Sequence, residues 1–374
     1  MAGISNKHTL NSHLKRKVFV GLSGGVDSAV AAALLKKRGL DVTGVFLREY
    51  DLSMSKSMRD QIACTQEDDR ANAIAVAAHL DIPFEEWDFR HAYKKHVVDY
   101  LFDEYAAGGT PNPDVMCNKH IKFGLFLERA LKRGADFIAT GHYAKVRGKR
   151  LEVRGLELRI AKDTNKDQTY FLYTLTQAQL ARCLFPLGDM TKPEVRTCAK
   201  SIGLPNWNRK DSQGVCFIGN IAMKDFLQTK LKGKKGLLMT SDGDVVGTHD
   251  GARYYTTGQR HGIGAGGGSE PYYVTGKDMK KNIVFVARGE KNPELFKKEL
   301  VATQINWISG TAPALPFRCK ARIRYRQPLE NCRLEVSGER LEVGFEKPQR
   351  AVTPGQAIVF YTGATCLGGG IIGK

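Results

Sequence analysis

Six residues near the start of the chain, Ser23-Gly-Gly-Val-Asp-Ser28, combine groups that suit a phosphate. The glycines let the backbone approach an anion closely, and the two serines add hydroxyl donors. The pattern matches neither G-x-x-x-x-G-K-[ST] nor G-x-G-x-x-G, so it predicts a nucleotide loop of another type. Asp27 would repel phosphate unless it holds a cation such as Mg²⁺. A purely structural strand–helix turn stays open as the alternative.

Two cysteines lie in polar, turn-rich segments and could carry redox chemistry. Cys117 follows the stiff segment 110–114, and we expect it at or just before the N-terminus of a helix over 118–133. There the helix dipole and Lys119 would favour the thiolate. Cys216 lies in a glycine-punctuated segment that predicts an exposed turn. A lone cysteine is most often buried and inert, but the two together suggest a step in which one sulfur attacks another.

The segment from Phe317 to Arg326 alternates apolar and basic residues. With a period of two, a strand here would place all of its cations on one face. These cations are Arg318, Lys320, Arg322, Arg324 and Arg326. No acid interrupts them, which favours a phosphate track over a solvated barrel exterior. If all of them contacted RNA phosphates, log K would fall with log salt with a slope of roughly four.

Length and charge limit the classes of protein that fit. The chain has 374 residues, which predicts two or three domains, and its 42% hydrophobic content excludes a disordered chain. With 57 Lys+Arg and 39 Asp+Glu, the net charge of +18 predicts a polyanionic partner, nucleic acid first. We expect no membrane association, because no apolar run approaches the ~20 residues of a membrane-spanning helix.

Cysteine usage and the N-terminus predict a reducing compartment, the cytoplasm. The eight cysteines include no C-x-x-C pair, so we expect neither structural disulfides nor a thiolate metal site. Residues 1–17 lack an apolar stretch long enough for a secretory signal. The first acidic residue is Asp27, so a mitochondrial transit peptide remains an alternative.

The order of elements predicts an α/β fold. Apolar runs and helical periodicity alternate, which implies a parallel sheet covered by helices on both faces. Predicted strands start near Lys17, Asp41, Pro83 and Asp136, and predicted helices near Val26, Gln66, Ala92 and Asn118. The chain becomes β-rich after about Asn220, and alternating strands from Leu300 onward suggest a small barrel.

Two segments carry a resemblance to known enzymes. Ser23 to Ser28 after an N-terminal strand resembles the PP-loop of the ATP pyrophosphatases, which cleave ATP between the α and β phosphates and adenylate a substrate oxygen. Pro111-Asn-Pro-Asp-Val-Met-Cys117 with Asp211-Ser-Gln-Gly-Val-Cys216 resembles the tRNA-specific 2-thiouridylases of the bacterial type. Further matches are Gly141-His-Tyr-Ala144, Lys166-Asp-Gln-Thr-Tyr-Phe171, Arg324-Tyr-Arg-Gln327 and Pro354-Gly-Gln-Ala357. The resemblance covers essentially residues 16–374.

The resemblance implies an adenine-nucleotide alpha-hydrolase-like domain with a PP-loop over 14–220. It also implies a small tRNA-facing central domain over 221–292 and a tRNA-binding β-barrel over 298–374. The implied ATP-binding residues are Gly21, Leu22, Ser23, Gly24, Gly25, Val26, Asp27, Ser28, Leu47 and Gly141. The implied tRNA contacts are Asn112, Pro113, Asp114, His142, Lys166, Asp167, Gln168, Arg324, Tyr325 and Gln356. Cys216 would carry a persulfide, Cys117 would be its partner thiol, and Asp114 would act as acid or base.

The implied reaction is ATP-dependent 2-thiolation of the wobble uridine of tRNA, with ATP and Mg²⁺ as cofactors. A sulfur-relay protein or cysteine desulfurase would donate sulfur, a Cys117–Cys216 disulfide would form in each turnover, and the enzyme would act as a monomer. Two alternatives stay open: a PP-loop ligase of a small metabolite, and a non-catalytic RNA-binding or sulfur-carrier protein.

Overall fold

The computed structural model describes residues 15–49, 56–150, 155–210, 222–264, 270–338 and 340–373. Within these ranges the strands form three sheets, of five, four and eight strands. Of the helices in the same ranges, none is long and apolar enough to cross a membrane.

The first part of the chain alternates strands and helices. Its elements are, in chain order, β1 (Lys17–Gly21), α1 (Val26–Lys37), β2 (Asp41–Arg48), α2 (Lys56–His79), β3 (Phe84–Asp88), α3 (Arg90–Tyr93), a π-helical segment (Lys94–Asp99), α4 (Tyr100–Ala106), α5 (Pro113–Met116), a second π-helical segment (Cys117–Phe126), α6 (Leu127–Lys132), β4 (Phe137–Ala139), β5 (Lys145–Arg147), β6 (Glu157–Arg159), α7 (Gln177–Arg182), β7 (Cys183–Leu184) and α8 (Lys192–Ser201). The segments from α3 to α4 and from α5 to α6 run without a break, so each forms one longer helix.

Five of these strands form a parallel sheet in the order β3-β2-β1-β4-β7. The centre of β1, Val18 to Val20, is buried, as expected for a parallel strand covered on both faces. The predicted α/β class is therefore confirmed. The strand order reverses between β1 and β4, and the carboxyl ends of two such strands open a crevice where α/β proteins bind ligands.

Helix α2 begins at Lys56, earlier than the predicted start near Gln66. Thr65 before Gln66 is a residue type that can cap a helix, which is why the start was predicted there. Residues 56–65 contain neither glycine nor proline, so nothing in their backbone stops the helix from extending. The earlier start lengthens the helix that packs over β2.

The helix predicted from Asn118 begins at Pro113, and this prediction was wrong by more than one turn. Asn112 caps the helix, because its side chain accepts the N–H of Val115 at 3.3 Å, and proline occupies the first helical position. Cys117 therefore lies in the second turn of the helix and not at its N-terminus, so the dipole argument for its thiolate loses its basis.

The central part of the chain holds a small mixed sheet. Its elements are α9 (Met223–Gln228), β8 (Gly236–Met239), β9 (Val245–His249), β10 (Tyr272–Asp278) and β11 (Ile283–Arg288). The strand order is β10-β11-β8-β9, and the β11–β8 pair is parallel. Phe226 of α9 stacks on Phe102 of α4, with ring centroids 5.1 Å apart, which joins this part to the first.

The last part of the chain closes into a six-stranded antiparallel barrel, as predicted. Its strands are β12 (Phe296–Trp307), β13 (Phe317–Arg322), β14 (Glu330–Ser337), β15 (Arg340–Arg350), β16 (Ala357–Thr362) and β17 (Thr365–Ile372). β12 pairs with both β15 and β17, which closes the barrel. Leu334, Val343 and Phe360 are fully buried in its core. β6 pairs with β17, so the β5–β6 hairpin of the first part extends this sheet.

Candidate active site

The loop between β1 and α1 is closed by its own serines. Ser28 Oγ donates to the carbonyl of Gly25 at 3.0 Å and accepts the backbone N–H of Ser23 at 3.2 Å. Gly25 is the N-cap of α1 in an extended conformation and makes no side-chain cap. The N–H groups of the first turn of α1 are therefore left for an external acceptor, which is the arrangement of an anion site.

Two glycines hold this loop close to its neighbours. Gly24 has φ +73°, and a Cβ there would lie 2.2 Å from the carbonyl oxygen of Asp69 in α2. At Gly141, after β4, a Cβ would lie 2.8 Å from the backbone of Asp27 and Ser28. Neither position can hold a side chain without moving backbone, so the sequence pattern and the packing agree here.

The negative charge of Asp27 is balanced by a lysine of the same chain. Lys192 Nζ at the start of α8 donates to both carboxylate oxygens at 2.7 and 2.9 Å, and the Tyr143 hydroxyl donates at 2.9 Å. Asp27 therefore does not fit the expected role of a Mg²⁺ ligand. Among the residues that the structure describes, no group of three or more His, Cys, Asp or Glu could hold a metal ion.

A cavity of about 370 Å³ opens at the switch point, over the loop. The predicted nucleotide residues that line it are Gly21, Leu22, Ser23, Gly25, Asp27, Ser28, Leu47 and Gly141. Val26 lies instead in the apolar core, and Gly24 lies against α2. The cavity is large enough for a small ligand, and backbone N–H groups at one end make it suitable for a phosphorylated one.

Cys117 lies beside this cavity, in contact with one of its wall residues. Its side chain is 1% exposed, and its Sγ donates to Glu49 Oε1 at 3.6 Å. Glu49 follows β2 and lines the cavity together with Lys122 from the Cys117 helix. Cys216, the other predicted cysteine, lies outside the described residues.

The Glu49 carboxyl, at the cavity wall, has a pKa shifted by its surroundings. Burial raises the pKa of Glu49, and Asp114 and Asp69 raise it further, whereas Lys122 and the hydrogen bond from Cys117 lower it. Sequence reasoning missed this residue. The only signal was its position directly after a buried parallel strand, where functional side chains gather.

The loop in front of the Cys117 helix is held by the other two parts of the chain. Gln356 of the barrel donates from Nε2 to the carbonyls of Thr110 at 2.8 Å and Pro111 at 3.3 Å. The N–H of Thr110 donates to Pro354 at 2.9 Å, and its hydroxyl lies 3.2 Å from that of Thr256 in the central part. All three parts therefore fix the backbone that leads to Asn112, Pro113 and Asp114.

His142, a predicted tRNA contact, is buried beside the cavity. Its Nδ1 is hydrogen-bonded to Thr140 Oγ1 at 2.8 Å, and its ring packs against Phe123 and Phe185. Burial, and next Lys122, hold the pKa of His142 well below its usual value of 6.5. The imidazole is therefore neutral at pH 7.

The segment from Lys166 to Gln168 joins the cavity to the barrel. Gln168 lines the cavity and accepts the N–H of Tyr143 at 2.9 Å. Asp167 is 1% exposed and accepts from Thr169 Oγ1 at 2.8 Å. Burial raises the pKa of Asp167, and the hydrogen bonds that it accepts from Thr169 and from the N–H of Ala161 lower it. Lys166 is half-buried, and its N–H donates to Asp163 at 3.1 Å.

The prediction of five cations on one exposed strand face was wrong. β13 ends at Arg322, which is buried and pairs with Asp167 at 3.6 Å. Arg324 turns inward and donates to Thr257 and Thr353 at 3.1 and 2.7 Å. The strand stops because the chain turns after Arg322, so the period of two no longer applies. The cations of this segment that stay exposed are Arg318, Lys320 and Arg326.

Tyr325, also a predicted tRNA contact, is half-buried. Its ring lies 4.6 Å from that of Phe171, and the Arg326 guanidinium stacks over it at 5.1 Å. It therefore forms part of the surface where the barrel meets the first part of the chain.

Three further residues that sequence reasoning missed support the loop. Asn206 Nδ2 and Arg209 both donate to the carbonyl of Gly24, at 2.8 and 3.1 Å, and Arg209 pairs with Asp69 at 2.6 Å. Lys192 was visible only as part of a capping box. Nothing in the sequence around Asn206 and Arg209 indicates their contact with a loop so far away along the chain.

This fold, with a phosphate-type loop at the switch point, defines a nucleotide-binding α/β enzyme with two appended β domains. Residues 16–220 match the family described as "tRNA methyl transferase HUP domain". Residues 224–288 match "tRNA methyl transferase PRC-barrel domain", and 297–372 match "Aminomethyltransferase beta-barrel domain".

Whole-chain comparison defines the family more narrowly. The chain is 48% identical over 359 residues to the tRNA-specific 2-thiouridylase MnmA of Geobacillus thermodenitrificans, covering 95% of this chain and 94% of that one. It is 46% identical over 360 residues to the MnmA of Bacillus cytotoxicus, with the same coverage. The chain therefore belongs to the tRNA-specific 2-thiouridylase family. Among solved structures, an NMN synthetase from Francisella tularensis is similar at 18% identity with a TM-score of 0.33, over 58% of this chain and 73% of that one.

Proposed function

We propose that this chain uses ATP to replace the 2-oxygen of the wobble uridine of tRNA with sulfur. The observation that carries the proposal is the position of Cys117 at the wall of the cavity formed by the phosphate loop, through its contact with Glu49. The loop proposed to bind ATP and the cysteine proposed to take part in sulfur transfer thus lie at the same cavity. Family membership supports the same reaction.

In this proposal ATP is bound by the loop and the first turn of α1, with the adenosine near Leu47 and Gly141. The uridine 2-oxygen attacks the α-phosphate, pyrophosphate leaves, and the oxygen departs later as part of AMP. Asp27 acts as an anchor that ties the loop to Lys192 and Tyr143. Mg²⁺ would act only as the counter-ion of the ATP phosphates.

The sulfur arrives as a persulfide on Cys216, supplied by a relay protein or cysteine desulfurase. Cys117 then attacks Cys216 Sγ, the S–S bond of the persulfide breaks, and the outer sulfur goes to carbon 2 of the base. A Cys117–Cys216 disulfide is left, and a cellular thiol reduces it, which suits a monomeric enzyme of a reducing compartment such as the cytoplasm. The persulfide attacks the base before Cys117 attacks, or Cys117 first releases the outer sulfur as sulfide; both routes leave the same disulfide.

The tRNA side of the proposal rests on charge and on the position of the helix cap. The target base, flipped from the anticodon stack, would meet Asn112, Pro113 and Asp114 in front of Cys117. The charge of +18 and the exposed cations of the barrel segment favour a phosphate backbone nearby. We assign Lys166 and Tyr325 as further contacts. Asp167, Gln168, Arg324 and Gln356 would act on tRNA through the backbone that they hold, and His142 through its packing beside the cavity.

The test is mass spectrometry of a wobble-uridine tRNA transcript. It would be incubated with the full chain, ATP, Mg²⁺, reductant and a persulfide-generating desulfurase. We expect a sulfur-for-oxygen mass change at the wobble base that Cys117→Ser and Cys216→Ser abolish. Cys198→Ser, which changes a partly exposed cysteine on α8, is the matched control and should keep the activity.

Two outcomes would contradict the proposal. Pyrophosphate release that does not depend on tRNA would indicate a ligase of a small metabolite. Absence of both pyrophosphate and thiolated base would indicate a non-catalytic RNA-binding or sulfur-carrier protein.

A further inference from the structure

We propose that Glu49 is the proton acceptor for Cys117, so that the thiol and the carboxyl share one proton and Glu49 holds it when the sulfur attacks. The sulfur-attack step rests on the proposed function, but the sharing of the proton does not. The observation is the hydrogen bond from Cys117 Sγ to Glu49 Oε1 at 3.6 Å, inside the distance for a sulfur donor.

The Glu49 carboxyl contacts both Cys117 and the cavity over the phosphate loop. Glu49 follows the carboxyl end of β2 and lines the cavity over the phosphate loop. Cys117 is 1% exposed, so bulk water does not serve it as a proton acceptor. Only an ionised thiol is a good nucleophile, and a neighbouring base is the usual way to ionise it.

The charges around Glu49 allow the pair to hold a single negative charge. Lys122 faces it from the Cys117 helix, and Asp114 from the same helix and Asp69 from α2 add negative charge. Asp69 is itself paired with Arg209. With the single cation Lys122 beside them, Glu49 and Cys117 are expected to keep one proton between them, because a carboxylate and a thiolate side by side would repel each other.

The proton transfer balances with the sulfur step. Cys117 loses its proton to the Glu49 carboxylate, and its electron pair forms a bond to Cys216 Sγ. The persulfide S–S bond breaks, and the outer sulfur leaves with the bonding pair. Glu49 then carries the proton until a thiol reductant restores Cys117.

The first test measures the ionisation of Cys117 without ATP, tRNA or sulfur donor. Modification of Cys117 by methyl methanethiosulfonate is followed by peptide mass spectrometry across pH. The midpoint of the pH profile is the readout, since limited access to a buried sulfur scales the rate equally at every pH. In Glu49→Gln the neighbouring negative charge is lost, and the midpoint should fall by about 1–3 pH units.

Two further variants make this result specific. Glu49→Asp keeps the charge on a shorter side chain, and its midpoint should lie between those of the parent and Glu49→Gln. Glu128→Gln changes an exposed glutamate of α6 that pairs with Lys132, and its midpoint should equal that of the parent. An unmoved midpoint in Glu49→Gln, or an equal shift in Glu128→Gln, would overturn the proposal.

The second test is single-turnover sulfur transfer from persulfide-loaded enzyme to tRNA. Loss of the base should slow Glu49→Gln about 100-fold, although its thiol ionises more easily. A merely structural role would not combine a more acidic thiol with slower transfer. Unchanged transfer in Glu49→Gln would overturn the acceptor role. If the parent itself transfers no sulfur to tRNA, the proposed function fails, and the pH midpoints still decide whether Glu49 and Cys117 share a proton.

Discussion

The phosphate loop and the basic segment of the barrel are two conspicuous patterns of this sequence. The structure agrees with the local prediction for the loop but not with that for the basic segment. At Ser23–Ser28 the pattern shapes the backbone, because Gly24 adopts a φ of +73° against the Asp69 carbonyl and the Ser28 hydroxyl donates to the Gly25 carbonyl within the loop. At Phe317–Arg326 the pattern consists of side-chain charges, and Arg322 and Arg324 turn inward to distant partners. A motif that acts through its backbone can be interpreted locally, whereas a charge pattern depends on what the rest of the chain places opposite it.

The largest expected effect concerns Arg322, one of the two arginines of the basic segment that turn inward. Arg322→Ala leaves the Asp167 carboxylate buried without its cation, so we expect the free energy of unfolding to fall by about 3–5 kcal/mol. Arg318→Ala, on the exposed part of the same strand, should change it by less than about 0.5 kcal/mol. Urea denaturation measures both. Equal effects would mean that the two arginines do not differ in role.

The backbone character of the loop can be tested with a pair of glycines. Gly24→Ala would push a Cβ into the Asp69 carbonyl, and we expect tRNA-dependent pyrophosphate release to fall about 100-fold. Gly39→Ala is the control, since Gly39 has a similar φ of +81° but no atom near its Cβ position. Backbone strain is then common to both variants, and only the clash differs. A comparable loss in Gly39→Ala would attribute the effect to strain.

His142 provides a pH test of a residue whose motif suggested RNA and whose position is buried. The pKa of His142 lies well below 6.5 in the folded chain and is about 6.5 in the unfolded chain. Below that pH the unfolded chain binds a proton that the folded chain does not, so stability decreases as pH falls. The expected loss is about 1 kcal/mol between pH 6.5 and 5.5.

The measurement is thermal or urea unfolding across this range. His142→Gln cannot titrate and should remove about 1 kcal/mol of the dependence, whereas His91→Gln, at an exposed site, should not. Burial also lowers the pKa of His120, to about 4, so part of the dependence remains in His142→Gln. An unchanged slope in His142→Gln would show that the imidazole is not buried in its neutral form.

The same distinction explains what the sequence could and could not predict. The parallel sheet, the closed barrel and the phosphate loop follow from periodicity and from glycine positions, which are local. Glu49, Lys192 and Asn206 could not be found, because their contacts depend on strand order and on segments far apart along the chain. The start of the Cys117 helix was missed, although Asn112 before Pro113 is a recognisable cap.

The smallest expected effect concerns the cations of the basic segment that stay exposed. If the exposed cations meet RNA phosphates, Arg318→Gln and Lys320→Gln should each reduce the salt slope of tRNA binding by about 0.7–0.9. Arg324→Gln should leave the slope unchanged, because the Arg324 guanidinium is already engaged by Thr257 and Thr353. Filter binding between 50 and 200 mM salt would measure these slopes. A reduction in Arg324→Gln equal to the others would mean that this side chain leaves its internal partners when tRNA binds, and four of the five predicted cations, all but the buried Arg322, would then face RNA in the complex.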